Sequence, residues 1–405
     1  MKAIRLKTEF LYNPIGVDFQ NPLLSWNCEG GVKQTAYRIV AKIDGATVWD
    51  SGKVESSSMR ATYPQELHSR ERVEWSITLW DENDIEGETS EAFFEMGLLR
   101  PEDFKAKWIT GNYKVNKKER YPVDCFRKIF TAKKIKRARL YATACGLYEA
   151  HINGKRVGDF VLAPGITNYK KRIQYQTYDV TDLLSDGENV LTASLADGLY
   201  RGSCGAWGIK NQYGTETKLW MQLEIECEDG KHFVCTDESF DWTNGGPIRF
   251  ADNKDGEIIF ASIETQYICK AKLTKCSVLP SASNCVDLTE HERFKGKVIT
   301  SPSGKKIIDF GQNIAGYVEF TVNAKAGEVL HLRFGELIDK DGELTLKNIQ
   351  CTNGKVTSPL QEVHYTAKNG INHYKTKFAI FGFQYVEVVG NIELNADDFT
   401  AIAVY

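Results

Sequence analysis

An apolar run approaching eighteen residues occurs nowhere in this 405-residue chain, which excludes a membrane-spanning helix. The opening residues, MKAIRLKTEFLYNPIGV, lack the long apolar segment of a signal peptide. Cysteine is present ten times, but no CxxC and no Cys/His cluster at zinc spacing occurs. The cysteines are therefore expected to be reduced thiols, buried as small apolar groups in a cytoplasmic protein. An excess of one charge is also missing: 51 basic against 54 acidic residues leave a net charge of −3, with no field to draw nucleic acid or an anionic membrane. The basic run KKIKRAR (133–139) carries no interleaved aromatics and reads as a solvated strand flank. There is no GxGxxG, no Walker loop, and none of the seven histidines lies in a GxSxG-like context. Nor does any segment hold apolar residues at i, i+3, i+4, i+7 over three capped turns, so at most a few short helices, such as VTDLLSD, are expected.

What is there is β structure. Residues 146–202 contain the alternating strand LYEAHI, an Asn153-Gly154 turn suited to a two-residue hairpin, a Pro164-Gly165 turn and the alternating run RIQYQTYDV. Asp186-Gly187, a further strand NVLTASLA and the glycine-flanked LADGLYRG complete the stretch. Turns at such short spacing describe a compact antiparallel domain. With 42% apolar residues, the whole chain has ample core for two to four domains.

The phrases NGKRVGD, APGITNY, TYDVTDLLSDGEN and LADGLYRG resemble the N-terminal β-sandwich module of bacterial α-L-rhamnosidases. The family wording is close to NGxxVGD, PGWTDY, YDVTxLLxxGEN and GDGWYRG. This chain departs from it at Ile166, Asn168, Ala196 and Leu199. Further on, FADNKDGEIIFA places Asp255, Gly256 and Glu257 where the family writes a DIYxGExYDA-like phrase. IIDFGQNIAGYVEF and FAIFGFQYVEVVG are similar to the wording of the sandwich that precedes the catalytic barrel, with Gln384 standing for the usual Arg. The resemblance implies an all-β chain of three β-sandwich modules in series. Residues 1–100 are fibronectin type III-like, 101–280 form a jelly roll of carbohydrate-binding type, and 281–405 form a further β-sandwich. Trp26, Trp75 and Trp80, on alternating strand positions, are expected in the core of the first.

The resemblance also implies the function. Inverting cleavage of terminal α-L-rhamnose needs two carboxyl groups, one acid and one base, separated by room for water. In these enzymes both stand on an (α/α)6 barrel whose acidic motif, of the kind DCPxRxERxGWxGD, does not occur here. This chain by itself is therefore expected to be inactive, with no catalytic residue assigned. Asp159, Asp179, Asp197, Asp255, Glu257 and Glu336 are acidic candidates, but 54 carboxylates make any chosen pair close to random.

Sugar binding has better candidates, since it needs an aromatic platform and a few planar polar groups. One loop offers Asn168, Tyr169 and Arg172; a second offers Trp207, Asn211 and Tyr213. Both follow strands and are expected to meet at one end of the sandwich. In some family members the related module holds rhamnose through Ca2+, which is possible here, although Asn168 replaces the family's Asp. The expected partners are an L-rhamnose-containing glycan and a catalytic barrel in cis or in trans. A free-standing lectin-like binder and a purely structural array of sandwiches are the alternatives.

Overall fold

The computed structural model describes all 405 residues, which divide into two compact units. Unit one takes in Met1–Lys105 together with the short segments Gln174–Tyr178 and Leu279–Val286. Its larger sheet runs in the order Ile15–Val17, Ser90–Met96, Arg72–Trp80, Ala36–Ile43, Ala46–Asp50. Its smaller sheet runs Lys2–Thr8, Leu23–Glu29, Arg60–Thr62. Strand Arg72–Trp80 shows why a sandwich forms. Val73, Trp75, Ile77 and Leu79 alternate with more exposed residues, so one face is apolar and must be covered. They share one core with Ala3, Leu24 and Trp26 of the smaller sheet. Trp26, Trp75 and Trp80 are all buried, as expected, and the Trp26 indole donates to Gln34 Oε1 at 2.9 Å. Tyr175, from the first of the added segments, accepts a hydrogen bond from the Leu98 amide at 2.8 Å.

Unit two holds the rest. One sheet places Ile135–Cys145 beside Lys218–Cys227, and Ile109–Thr110 beside the latter. Both long strands are buried on both faces over most of their length, with Arg139, Thr143, Gln222 and Glu224 buried among the apolar residues. A second sheet runs Lys155–Arg156, Leu147–Ile152, Gly187–Ala196, Asp124–Ala132, Asp241–Thr243, Cys269–Lys270. Asn153 and Gly154 have φ of 52° and 78°, the paired positive values a two-residue hairpin needs.

The third and largest sheet has ten strands, its main order being Ile248–Asp252, Gly256–Phe260, Glu362–Thr366, Val329–Gly335, Phe381–Gly390, Lys306–Ala324, Phe399–Val404, Glu290–Lys295. Its core is aromatic, with Phe320, Phe334, Tyr365, Phe381, Phe383 and Phe399 among the buried members. The hairpin of residues 248–260, which precedes this module in the chain, lies in this sheet: Gly256–Phe260 pairs in parallel with Glu362–Thr366. The approach requires Gly256, since at φ 113° any Cβ would lie 1.7 Å from the Glu362 carbonyl oxygen.

Helix is confined to the single turn Gly198–Arg201 and three 3-10 turns, one of them Thr181–Leu183 within VTDLLSD. No helix is long and apolar enough to cross a membrane. All ten cysteines are free; Cys145 and Cys227 are buried, whereas Cys269 and Cys285 are exposed. Burial as small apolar groups therefore describes only some of them.

Candidate carbohydrate-binding site

Strand Gly187–Ala196 ends in LADGLYRG, where the chain makes its one α-helical turn and then runs out into the second candidate loop. Tyr200 on that turn is the hub. Its carbonyl accepts from the amides of Tyr213 and Gly214, both at 3.2 Å. Tyr169, from the first candidate loop, sets its ring edge-to-face against Tyr200 and against Tyr213, each with centroids 5.2 Å apart. The two loops expected to meet do so, through tyrosines.

The six candidate residues divide by exposure. Tyr169 is buried, with only 5% of its surface exposed, so its ring is committed to holding the loops together. Tyr213 and Asn211 are half-buried; Asn211 reaches the Lys117 carbonyl at 3.3 Å, and its amide donates to the Arg201 carbonyl at 3.0 Å. Asn168 and Arg172 are exposed, on a turn in which the Asn168 carbonyl accepts from the amides of Lys171 and Arg172 at 2.8 and 2.9 Å. Trp207 is 56% exposed, on a turn closed by reciprocal hydrogen bonds between Cys204 and Ile209. Its indole stacks on no other ring and is the free aromatic surface of the set.

Calcium does not fit this donor set. The ion needs six to eight oxygens, usually with carboxylates among them. Asn168 offers a neutral Oδ1 already accepting from the Lys170 amide at 3.2 Å, and Lys170, Lys171 and Arg172 follow it.

Beneath the loops lies a buried network that the sequence does not reveal. Arg201 bonds Asp197 through Nε at 2.7 Å and the Tyr113 hydroxyl at 2.5 Å. Burial works against the Arg201 charge, but Asp197, Tyr113 and Asp124 together hold the guanidinium firmly protonated. Asp124, fully buried, accepts from Trp242 Nε1 at 3.0 Å and Thr217 Oγ1 at 3.1 Å; burial pushes its carboxyl up to about 6 despite the nearby Arg201. Arg120 bridges Asp252 at 2.7 Å and Asp255 at 2.9 Å, and Asp255 also accepts from Ser203 and Ser358. Glu257 accepts from Tyr374 Oη at 2.6 Å and from the amides of Lys377 and Phe378. Asp197, Asp255 and Glu257, candidates as chemistry, are thus consumed in holding segments together.

A cavity of about 290 Å3 in the second unit is lined by Glu149, His151, Arg156, Tyr317, Lys375 and Lys377, among others. Burial would raise the Glu149 carboxyl, but Lys377, 2.5 Å away, together with Arg156 and His151, holds it below the ordinary range. Glu149 is its single carboxylate.

Against this geometry, three family models match in series. They are the Rha78A-like N-terminal immunoglobulin domain over residues 3–100, the α-L-rhamnosidase N-terminal domain over 133–299, and the bacterial α-L-rhamnosidase concanavalin-like domain over 299–405. The chain belongs to the α-L-rhamnosidases, as their N-terminal part. A Formosa agariphila α-L-rhamnosidase is 32% identical over 416 residues, covering 95% of this chain and 44% of the relative. One from Streptomyces avermitilis is 38% identical over 273 residues, covering 64% and 26%. The solved α-L-rhamnosidase from Dictyoglumus thermophilum superposes with a TM-score of 0.88 at 32% identity, over 100% of this chain and 48% of that one. The Aspergillus terreus enzyme gives 0.90 at 28%, over 100% and 49%. The chain thus spans less than half the length of each of these relatives. The Ig-like and concanavalin-like matches agree with the all-β reading, and the LADGLYRG and DNKDGE phrases that carried the resemblance are the buried network just described.

Proposed function

We propose that this chain binds an L-rhamnose-bearing glycan and supports a helical catalytic barrel, supplied in cis or in trans, that hydrolyses terminal α-L-rhamnose. The serial match of three α-L-rhamnosidase domain models, with no barrel sequence among these residues, carries the reading. The inactivity of the chain alone is part of the proposal. Hydrolysis by inversion needs one protonated and one ionised carboxyl across a sugar. The cavity of the second unit offers one carboxyl, ionised and paired with Lys377. Glycan contact is assigned to the exposed side chains of the loop pair, Trp207, Asn168 and Arg172, with Asn211 and Tyr213 at their side. A cytoplasmic location belongs to the same proposal, supported by ten unpaired thiols.

Calorimetry with L-rhamnose tests the binding. Heat of binding is expected from the unaltered chain, unchanged by a chelator and lost in Trp207→Ala. Absence of heat would favour a structural array of sandwiches over a binder. Release of nitrophenol from a nitrophenyl α-L-rhamnoside by the chain alone would overturn the assignment of catalysis to a separate barrel.

A further inference from the structure

Two imidazoles and a carboxylate converge on the ten-stranded sheet. Strands Val329–Gly335 and Glu362–Thr366 are antiparallel, with His331 directly opposite His364 and Arg333 opposite Glu362. Leu330, Leu332 and Phe334, with Val363 and Tyr365, fill the core. The alternation of a strand therefore sends His331, Glu362 and His364 to the other face. The imidazole rings stack with centroids 3.8 Å apart and planes within 19°. Glu362 Oε2 lies 3.0 Å from His364 Nε2 and 3.1 Å from His331 Nε2. The first contact is a hydrogen bond. At His331 the same oxygen is out of line, and Nε2, sealed from water, makes no hydrogen bond. A buried ring nitrogen in that condition is an exception that a bound water or ion would explain.

The neighbouring cations turn mainly toward Glu387. Arg333 lies 3.5 Å from the other Glu362 oxygen, Oε1, and 2.9 Å from Glu387 Oε1; Lys305 sits 3.1 Å from Glu387 Oε2. Glu362 Oε2 and the two Nε2 atoms are left facing one another.

We propose that His331 Nε2, His364 Nε2 and Glu362 Oε2 form a binding site for a divalent transition-metal ion of the Zn2+ class. Imidazole with one carboxylate suits Zn2+ and its neighbours rather than Ca2+ or Mg2+, which take oxygen. Tetrahedral coordination at Zn–N distances of ~2.0–2.1 Å puts ligand atoms roughly 3.3 Å apart. The observed 3.0 and 3.1 Å from Glu362 Oε2 to the two Nε2 atoms lie close to that spacing, and coordination requires the stacked rings to swing at their Nε2 edges so that both in-plane lone pairs aim at one ion. Three protein ligands leave a fourth position for water. The sequence hides the site because its histidines are far apart in the chain and meet only through strand pairing. An ion there would tie Val329–Gly335 to Glu362–Thr366, the strand on which the hairpin of residues 248–260 docks.

A second trio, Cys227, Asp229 and His232, lies at the hairpin between Lys218–Cys227 and Gly230–Cys235 and serves as the control. The test is calorimetric titration of the chelator-stripped chain with Zn2+, alongside imidazole NMR. One equivalent is expected to bind to the unaltered chain, to bind at least tenfold more weakly in H331A/H364A and in E362Q, and to be unaffected in H232A. Zn2+ is also expected to raise the melting temperature of the unaltered chain. No uptake at tens of micromolar Zn2+ would overturn the proposal, as would full binding by H331A/H364A or loss of binding in H232A. Should H331A/H364A fold poorly, the unaltered chain still decides: movement of the His331 and His364 Nε2 signals on adding Zn2+ supports the site, and their stillness overturns it.

Discussion

Gln384 donates from Nε2 to Asp309 Oδ1 at 3.0 Å, joining two signature phrases that stand 75 residues apart in the chain. Strand Phe381–Gly390 carries the amide, strand Lys306–Ala324 the carboxylate, and the register sets Asp309 opposite Tyr385. Asp309 Oδ1 also accepts from the Gly311 amide at 2.8 Å, so the turn of DFGQN is anchored by the same oxygen. The family wording has Arg at position 384, which would convert a hydrogen bond from a neutral amide to a carboxylate into an ion pair. Q384A is expected to lose about 1.5 kcal/mol, the lower end for a hydrogen bond to a charged group. Q384R should match or exceed the unaltered chain by up to about 1 kcal/mol, as partly exposed ion pairs do. Urea unfolding of the three proteins gives both differences, and a Q384R less stable than Q384A would contradict this account.

Arg120 carries more of the stability. Its guanidinium is the cation for both Asp252 and Asp255, and both carboxylates are buried. R120M is expected to cost roughly 3–5 kcal/mol, because it strands two buried charges rather than merely removing a bond. Adding D255N to R120M should recover part of that loss, since its amide oxygen can still accept from the Leu360 amide and the Ser358 hydroxyl while its NH2 faces the Ser203 hydroxyl, which can accept. Denaturant midpoints separate the cases, and an R120M/D255N variant weaker than R120M alone would contradict the charge argument.

What the residues disclose on their own is local. Asn153-Gly154 announces its hairpin because two positive φ values are demanded of adjacent residues. Trp26 and Trp75 announce a core because strand alternation points them one way. The candidate site was legible as two loops but not as a surface: nothing in TNYKK says that Tyr169 turns inward onto Tyr200 while Trp207 stays out. Glu257 reads as a spare carboxylate until Tyr374 and the Lys377 amide, more than a hundred residues away, are seen to bind it. The hairpin of residues 248–260 likewise shows two strands but not its partner, since a parallel pairing to Glu362–Thr366 leaves no local pattern.

Cys276 should be the reactive thiol of this chain. A hydrogen bond from Cys145, with help from the Val278 amide and Lys218, brings it down to about 6 although burial opposes this. The thiolate is the nucleophile, so iodoacetamide at pH 6.5 is expected to label Cys276 ahead of the exposed Cys269 and Cys285. C145A removes the chief donor. The thiolate fraction then falls, while each thiolate becomes intrinsically more nucleophilic, for a net slowing of roughly fivefold. Peptide mapping by mass spectrometry reads the rates, and preferential labelling of Cys269 or Cys285 would refute the assignment.

Stability should peak on the acid side of neutrality. Asp124 and Asp287 are both pushed up to about 6, Asp124 by burial and Asp287 by burial and then by the Asp159 charge. Their unfolded value is about 3.9, so between these limits the folded chain binds more protons than the unfolded one. That contribution is fully present below about 4 and is lost as pH rises through about 6. Glu149 and Glu290 act in the opposite sense. Burial opposes their charge, but Lys377 and Lys375 hold them below the ordinary range, so their contribution is present above about 4.3 and lost as pH falls further. The two trends cross near pH 5. Unfolding by urea is therefore expected to need more denaturant at pH 5 than at pH 7.5. D287N removes a charge that the fold disfavours. Its full shift corresponds to roughly 3 kcal/mol, and because the side chain is only partly buried a gain of about 1 kcal/mol at pH 7.5 is expected, with a flatter profile below it. A D287N chain less stable than the unaltered one at pH 7.5 would show that the Asp287 carboxylate is held by a favourable partner rather than repelled by Asp159.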